Sequence, residues 1–198
     1  MKIATYNVNN INKRFAPLAA WLNKARPDVV CLQELKCEQH AFPATELRRL
    51  GSADVTVRHL DAASAPSIAA FTRACLMDLP RVDVLVNNAG VAHANRLVTP
   101  DGYELTFATN VLGYHRLSLA MIEKLRASAA ARIVNVASTF AGDLDLDDLQ
   151  FGKRLYDELQ AYAQSKACNR LLTWALARRL EGTGVTAREG LCRMRRAD

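Results

Sequence analysis

Four residues of this chain have the types and the order to move a proton: Asn110, Ser138, Tyr162 and Lys166. Tyr162 and Lys166 stand four apart in a segment with helical patterning, so they share one helix face. A tyrosine phenol has an unperturbed pKa of about 10, too high for a relay at neutral pH. An ammonium on the same face favours the phenolate and lowers that value. The phenol could then give a proton to a substrate oxygen or take one from it. Ser138 closes an apolar run, where its hydroxyl could hydrogen-bond the same oxygen. A Tyr-x-x-x-Lys pair alone is an ordinary surface-helix pattern. Its weight here comes from the company it keeps.

The elements that would position these residues alternate. Lys2–Asn7 reads as a short strand, and Phe15–Ala25 as a helix with Phe15, Leu18, Trp21 and Leu22 on one face. Pro17 is tolerable there only in the first turn. The run 28–33 reads as a buried strand, and 44–50 as a short helix closed by Gly51. A strand is expected over 54–60 and a helix over 67–79. Val82–Val86 is another buried strand, ending in Asn87-Asn88-Ala89-Gly90. One long helix is expected over 102–128, a strand over 132–137, and a helix over 155–180. The Asp143–Asp148 run reads as a solvated loop. This alternation predicts an α/β fold, a Rossmann-like, mainly parallel sheet with helices on both faces, incomplete at the C-terminus. In such sheets ligands bind beyond the carboxyl ends of the strands, where Asn88 and Ser138 fall.

Four stretches in order, Val84–Gly90, Asn110–Gly113, Ile133–Ser138 and Tyr162–Lys166, resemble the short-chain dehydrogenase/reductase family. The likeness is closer to its retinol-dehydrogenase-like branch, through Thr99–Leu105, Leu144–Leu149 and the long interval from Ser138 to Tyr162. It covers about residues 54–187. It implies an enzyme that takes NAD or NADP and acts on a small-molecule alcohol or carbonyl. By position, Tyr162 would be the acid/base, Lys166 would assist it and hold the nicotinamide ribose, Ser138 would place the substrate oxygen, and Asn110 would hold a relay water. Asn88, Ala89 and Gly90 would shape the cofactor floor, and Asp61 would meet the adenine.

The first fifty residues contain no glycine, so the Gly-rich turn that cradles a dinucleotide pyrophosphate is missing. Asn7-Val-Asn-Asn-Ile-Asn12 stands in its place, and weak cofactor binding is expected. Residues 1–51 instead resemble the start of the exonuclease III-type apurinic endonucleases, through Met1–Asn9, Arg26–Lys36 and Ala41–Pro43. That resemblance implies Glu34 as a metal ligand and Asn7 as an active-site residue. A lone carboxylate seldom holds magnesium, and both are expected to be vestigial, with no metal bound. The chain thus reads as a fusion: 1–51 strand-helix-strand-helix, 52–187 dehydrogenase-like and folded with it, and 188–198 a basic tail. Alternatives are a fragment of a metal-dependent DNA repair nuclease and a non-catalytic folded relic.

Composition fits a soluble chain of 198 residues, 50% hydrophobic and 23% charged. No apolar run approaches the roughly 20 residues of a membrane span, and a cytoplasmic location is expected. The net charge of +6 is concentrated at the start, where residues 1–51 hold eight Lys and Arg against four Asp and Glu. These charges are scattered along helix faces, so nucleic acid is not the expected partner. A homo-oligomer is left open. The five cysteines lack metal-site spacing and read as reduced thiols.

Overall fold

A computed structural model describes residues 3–8, 10–26, 29–33, 35–50 and 58–192. The chain divides into two compact units, Met1–His59 and Leu60–Asp198. In the first, β1 (Ile3–Asn7) pairs in parallel with β2 (Val29–Gln33), with Ile3 opposite Val29 and Asn7 opposite Gln33. Helix α1 (Phe15–Ala25) connects them, and α2 (Ala44–Arg49) follows. Pro17 sits in the first turn of α1, where its missing N–H has no intrahelical partner to lose. Arg26 ends α1 in the left-handed conformation, its N–H bonded to the Leu22 carbonyl. Val8, Ile11, Leu18 and Leu47 form the buried core of this unit.

The second unit carries a parallel sheet in the order β3–β4–β5: Val84–Asn87, Ala131–Ser138 and Val185–Cys192. Helix α3 (Ala65–Asp78) precedes it, capped by Ser64, whose side chain accepts the Ser67 N–H at 3.3 Å. Between β3 and β4 the chain is helical from Leu105 to Arg126, but not as the single helix that the periodicity suggests. It runs as α4 (Leu105–Phe107), a π-helical turn (Ala108–Leu112), α5 (Gly113–Ala120) and, after a break at Met121, α6 (Ile122–Arg126). Helix α7 (Glu158–Arg179) joins β4 to β5 and is capped by Asp157, which accepts the Gln160 N–H at 2.8 Å. Ile68, Leu117, Leu125, Ile133, Leu176 and Leu180 make the buried apolar core, each such side chain contributing about 1.5–3 kcal/mol.

Of the expected 54–60 strand, residues 54–57 lie outside the described residues, and 58–60 are not strand. One further expectation changes. The 188–198 tail is in part structured: β5 continues to Cys192, pairing Val134 with Arg188 and Ser138 with Cys192. The edge of β4 offers backbone partners to any extended chain, which explains a strand where side-chain pattern is weak. No helix among the described residues is long and apolar enough to cross a membrane.

Gly113 opens α5 against the backbone before α3. A Cβ there would lie 2.5 Å from the Ala62 carbonyl oxygen, whereas one at Gly142 would meet nothing within 4 Å. Gly113→Ala should therefore destabilise the protein by about 1–3 kcal/mol, with Gly142→Ala near neutral. Chemical denaturation midpoints of the two variants check the difference.

Candidate active site

Asn110 lies in the π-helical turn and is fully buried. Its Nδ2 donates to the Val91 carbonyl at 2.9 Å and to Ser165 Oγ at 3.0 Å, and its Oδ1 accepts the Val91 N–H at 2.9 Å. Ser165 Oγ in turn donates to the Tyr162 carbonyl at 2.7 Å. One amide thus ties the loop after β3 to the turn of α7 that carries Tyr162. Its amide hydrogens are both spent on protein, so the side chain acts as a clamp. Its Oδ1 keeps a second lone pair to which a relay water could donate.

Lys166 is 2% exposed, and its Nζ donates to the Val136 carbonyl of β4 at 3.0 Å. The ammonium also lies over two aromatic rings, 5.6 Å from the Tyr162 centroid and 5.4 Å from that of Tyr114. Tyr162 is half-buried. Ser138 is buried at the end of β4; its Oγ accepts the Phe140 N–H at 3.1 Å, and its carbonyl accepts from Arg170 Nη2 at 3.0 Å. Residues 162, 166 and 170 form one stripe of α7, and two of them bind carbonyls at the carboxyl end of β4.

Gly90 completes this side. A Cβ there would come within 3.3 Å of Lys166 Nζ and 3.7 Å of Asn110 Oδ1. The glycine thus lets the backbone of this loop approach the ammonium; its neighbours Asn88 and Ala89 are half-buried and exposed. Asp61 is exposed and forms a turn before α3, its Oδ1 accepting the Ala63 N–H at 2.9 Å. Asn7 ends β1, and Glu34 lies outside the described residues.

The turn after β1 behaves partly as a glycine turn would. Asn10 has φ +82, the left-handed conformation that asparagine tolerates better than most residues. Its Oδ1 accepts the Lys13 N–H at 3.1 Å, and the Ile11 N–H bonds the Leu35 carbonyl at 2.9 Å.

Several residues escaped the sequence reading. Asn87 and Asn135 are register partners in β3 and β4, and Asn87 Nδ2 donates to Asn135 Oδ1 at 2.7 Å and to Ser118 Oγ at 2.9 Å. Asn135 Nδ2 donates to Thr173 Oγ1 of α7 at 2.9 Å. An asparagine inside each apolar strand was the available signal, since a buried amide needs partners. Nor is the Asp143–Asp148 segment wholly solvated. Asp148 is buried, its carboxylate accepting the N–H groups of Gly152 (2.6 Å), Lys153 (3.2 Å) and Arg154 (3.1 Å). Burial pushes its carboxyl upward, but those three donors and the Arg154 guanidinium outweigh this and hold it below the ordinary carboxylate range. Gln164 of α7 anchors the same loop through the Asp148 and Leu149 carbonyls and the Asp145 N–H. Burial, and Glu104 beside it, raise the Tyr156 phenol despite the Thr106 contact. The buried Cys168 thiol is pushed up to about 11 by desolvation, which marks it as unreactive.

The short chain dehydrogenase profile matches residues 18–189. Human retinol dehydrogenase 13 is 45% identical over 134 residues, 67% of this chain and 40% of that protein. Mouse retinol dehydrogenase 12 is 40% identical over 166 residues, 82% of this chain and 51% of that protein. The chain therefore spans about half the length, or less, of these curated relatives. Among solved structures, an uncharacterised protein from Mycobacterium paratuberculosis is 26% identical, with a TM-score of 0.65 over 96% of this chain and 68% of that one.

Asp148 gives a pH test. Its pKa is lower folded than unfolded, so its stabilisation is complete above the unfolded value of about 3.9 and is lost as pH falls through the folded value. Asp148→Asn should be less stable than wild type at neutral pH. The gap should narrow on acidification below about pH 4, as read from denaturation midpoints of both proteins across pH.

Proposed function

The chain belongs to the short chain dehydrogenase family, and on that premise we propose that it interconverts an alcohol and its carbonyl with NAD or NADP through Tyr162, Lys166, Ser138 and Asn110. The observation that carries this reading is the buried Lys166 ammonium, tied to β4 and lying over the ring of Tyr162. The nicotinamide supplies or accepts the hydride when it is bound. Tyr162 gives the proton to the substrate oxygen in reduction and takes it in oxidation. The neighbouring ammonium favours the phenolate that oxidation needs. Ser138, buried where β4 ends, orients the substrate oxygen by hydrogen bonding. Asn110 keeps the Asn88–Gly90 loop and the Tyr162 turn in register through Val91 and Ser165.

The Lys166 ammonium, with the Gly90 backbone close beside it, suits the ribose and nicotinamide part of a dinucleotide. The first fifty residues lack the glycines that would let backbone amides approach a pyrophosphate. Cofactor binding is therefore weak in this reading. Exposed Phe140, Leu146, Leu155 and Leu159 lie in the segment leading to Tyr162, which favours an apolar alcohol. The names of the relatives make a retinoid the first substrate to try. The N-terminal likeness to apurinic endonucleases is taken as vestigial, with Glu34 and Asn7 idle.

Tyr162→Phe should lower turnover by about 10²–10⁴-fold, since phenylalanine keeps the ring and has no proton to give. Lys166→Ala should cost most of the rate, and Glu34→Gln none. Steady-state rates with NADH and NADPH check all three. Activity that survives Tyr162→Phe and depends on Glu34 and magnesium would overturn the reading. Fluorescence titration with either dinucleotide should show binding well weaker than micromolar.

A further inference from the structure

We infer that Tyr114, a residue outside the four discussed above, positions Lys166 and keeps it cationic. Tyr114 stands on α5, one turn beyond Asn110, and is 4% exposed. Its ring faces the Lys166 ammonium at 5.4 Å, while the Tyr162 ring faces it at 5.6 Å. The ammonium therefore lies over two aromatic rings supplied by different helices. Burial alone would disfavour the charged form of a lysine. The negative face of an aromatic ring favours it, most strongly where water is excluded.

Described groups from several elements lie near Lys166. Helix α5 contributes Tyr114, α7 contributes Tyr162, and β4 contributes the Val136 carbonyl at 3.0 Å. The loop after β3 contributes Gly90, and the π-helical turn contributes the Asn110 amide. Tyr162 is the partner that cannot serve as a constant support, because in the proposed reaction its phenol changes charge. Tyr114 takes no part in that proton transfer, so its ring is a fixed support for the ammonium. Asn110 and Tyr114 stand four residues apart, where the π-helical turn passes into α5.

This inference rests on the proposed roles of Tyr162 and Lys166, but its test requires no turnover. The chain has seven lysines, few enough for their side-chain Cε signals to be followed by NMR in the full-length protein labelled with ¹³C-lysine. Lys166→Arg identifies the signal of Lys166. In wild type, Lys166 Hε should show a cross-relaxation contact with the Tyr114 ring protons. Tyr114→Phe keeps the ring and should leave the Lys166 titration midpoint where it is. Tyr114→Leu removes the ring and should lower that midpoint by about one pH unit, a tenfold change in proton affinity. Absence of the contact in wild type overturns the inference, even if Tyr114→Leu does not fold. An equal midpoint in wild type and a folded Tyr114→Leu overturns it as well. If the contact and shift appear but wild type turns over no alcohol or carbonyl, the functional reading fails and the Tyr114–Lys166 support stands.

Discussion

The geometry of the candidate site depends on one buried amide. Asn110 spends both of its amide hydrogens and its oxygen on Val91 and Ser165, joining a loop, a helical turn and α7. A π-helical turn widens the helix at this point, which brings an extra residue onto the face that meets its neighbours. A shorter or apolar side chain would leave the Val91 peptide group and Ser165 without these partners, at about 1–3 kcal/mol for each buried group left unpaired. The catalytic-type residues are thus set by hydrogen bonds that cross between elements, in addition to apolar packing.

The same principle extends through the second unit. The buried face of α7 includes Gln164, Ser165, Lys166, Asn169 and Thr173, a composition that hydrophobic burial alone would not select. Each of these needs a partner with defined direction, and β4 together with the loop before α7 supplies many of them. Lys166 takes the Val136 carbonyl, Arg170 the Ser138 carbonyl, and Thr173 the Asn135 amide. Gln164 holds the loop that Asp148 has already folded around its carboxylate. Directional bonds of this kind specify one register of helix on sheet, where an apolar face would tolerate several.

The first unit shows how far asparagine can substitute for glycine. Asn10 reaches the left-handed conformation that a sharp strand-to-helix turn requires. It then caps the Lys13 amide with its own side chain, which is the habit that makes asparagine a good turn residue. That self-capping stabilises the turn and removes a donor that a glycine turn would have left facing outward.

The positions of β1, β2, β3 and β4 were legible because buried parallel strands read as apolar, β-branched runs. The helices α1 and α7 were legible from spacing and punctuation, with Pro17 in a first turn and Glu181-Gly182 after the last. The order Asn110, Ser138, Tyr162, Lys166 was legible from residue type alone. What the sequence could not show was the break of the long helix into a π-helical turn at Asn110, the burial of Asp148 in a charged run, or the extension of β5 through Arg188–Cys192. Periodicity reports which residues are apolar, and each of these features depends instead on a polar group finding a partner far along the chain. The sequence by itself determined the family and its candidate chemistry, because residue types and spacing carry them. Only the tertiary structure decided that Asn110 clamps a loop to α7 and that Lys166 lies over two rings, because those facts are distances between elements that no local pattern encodes.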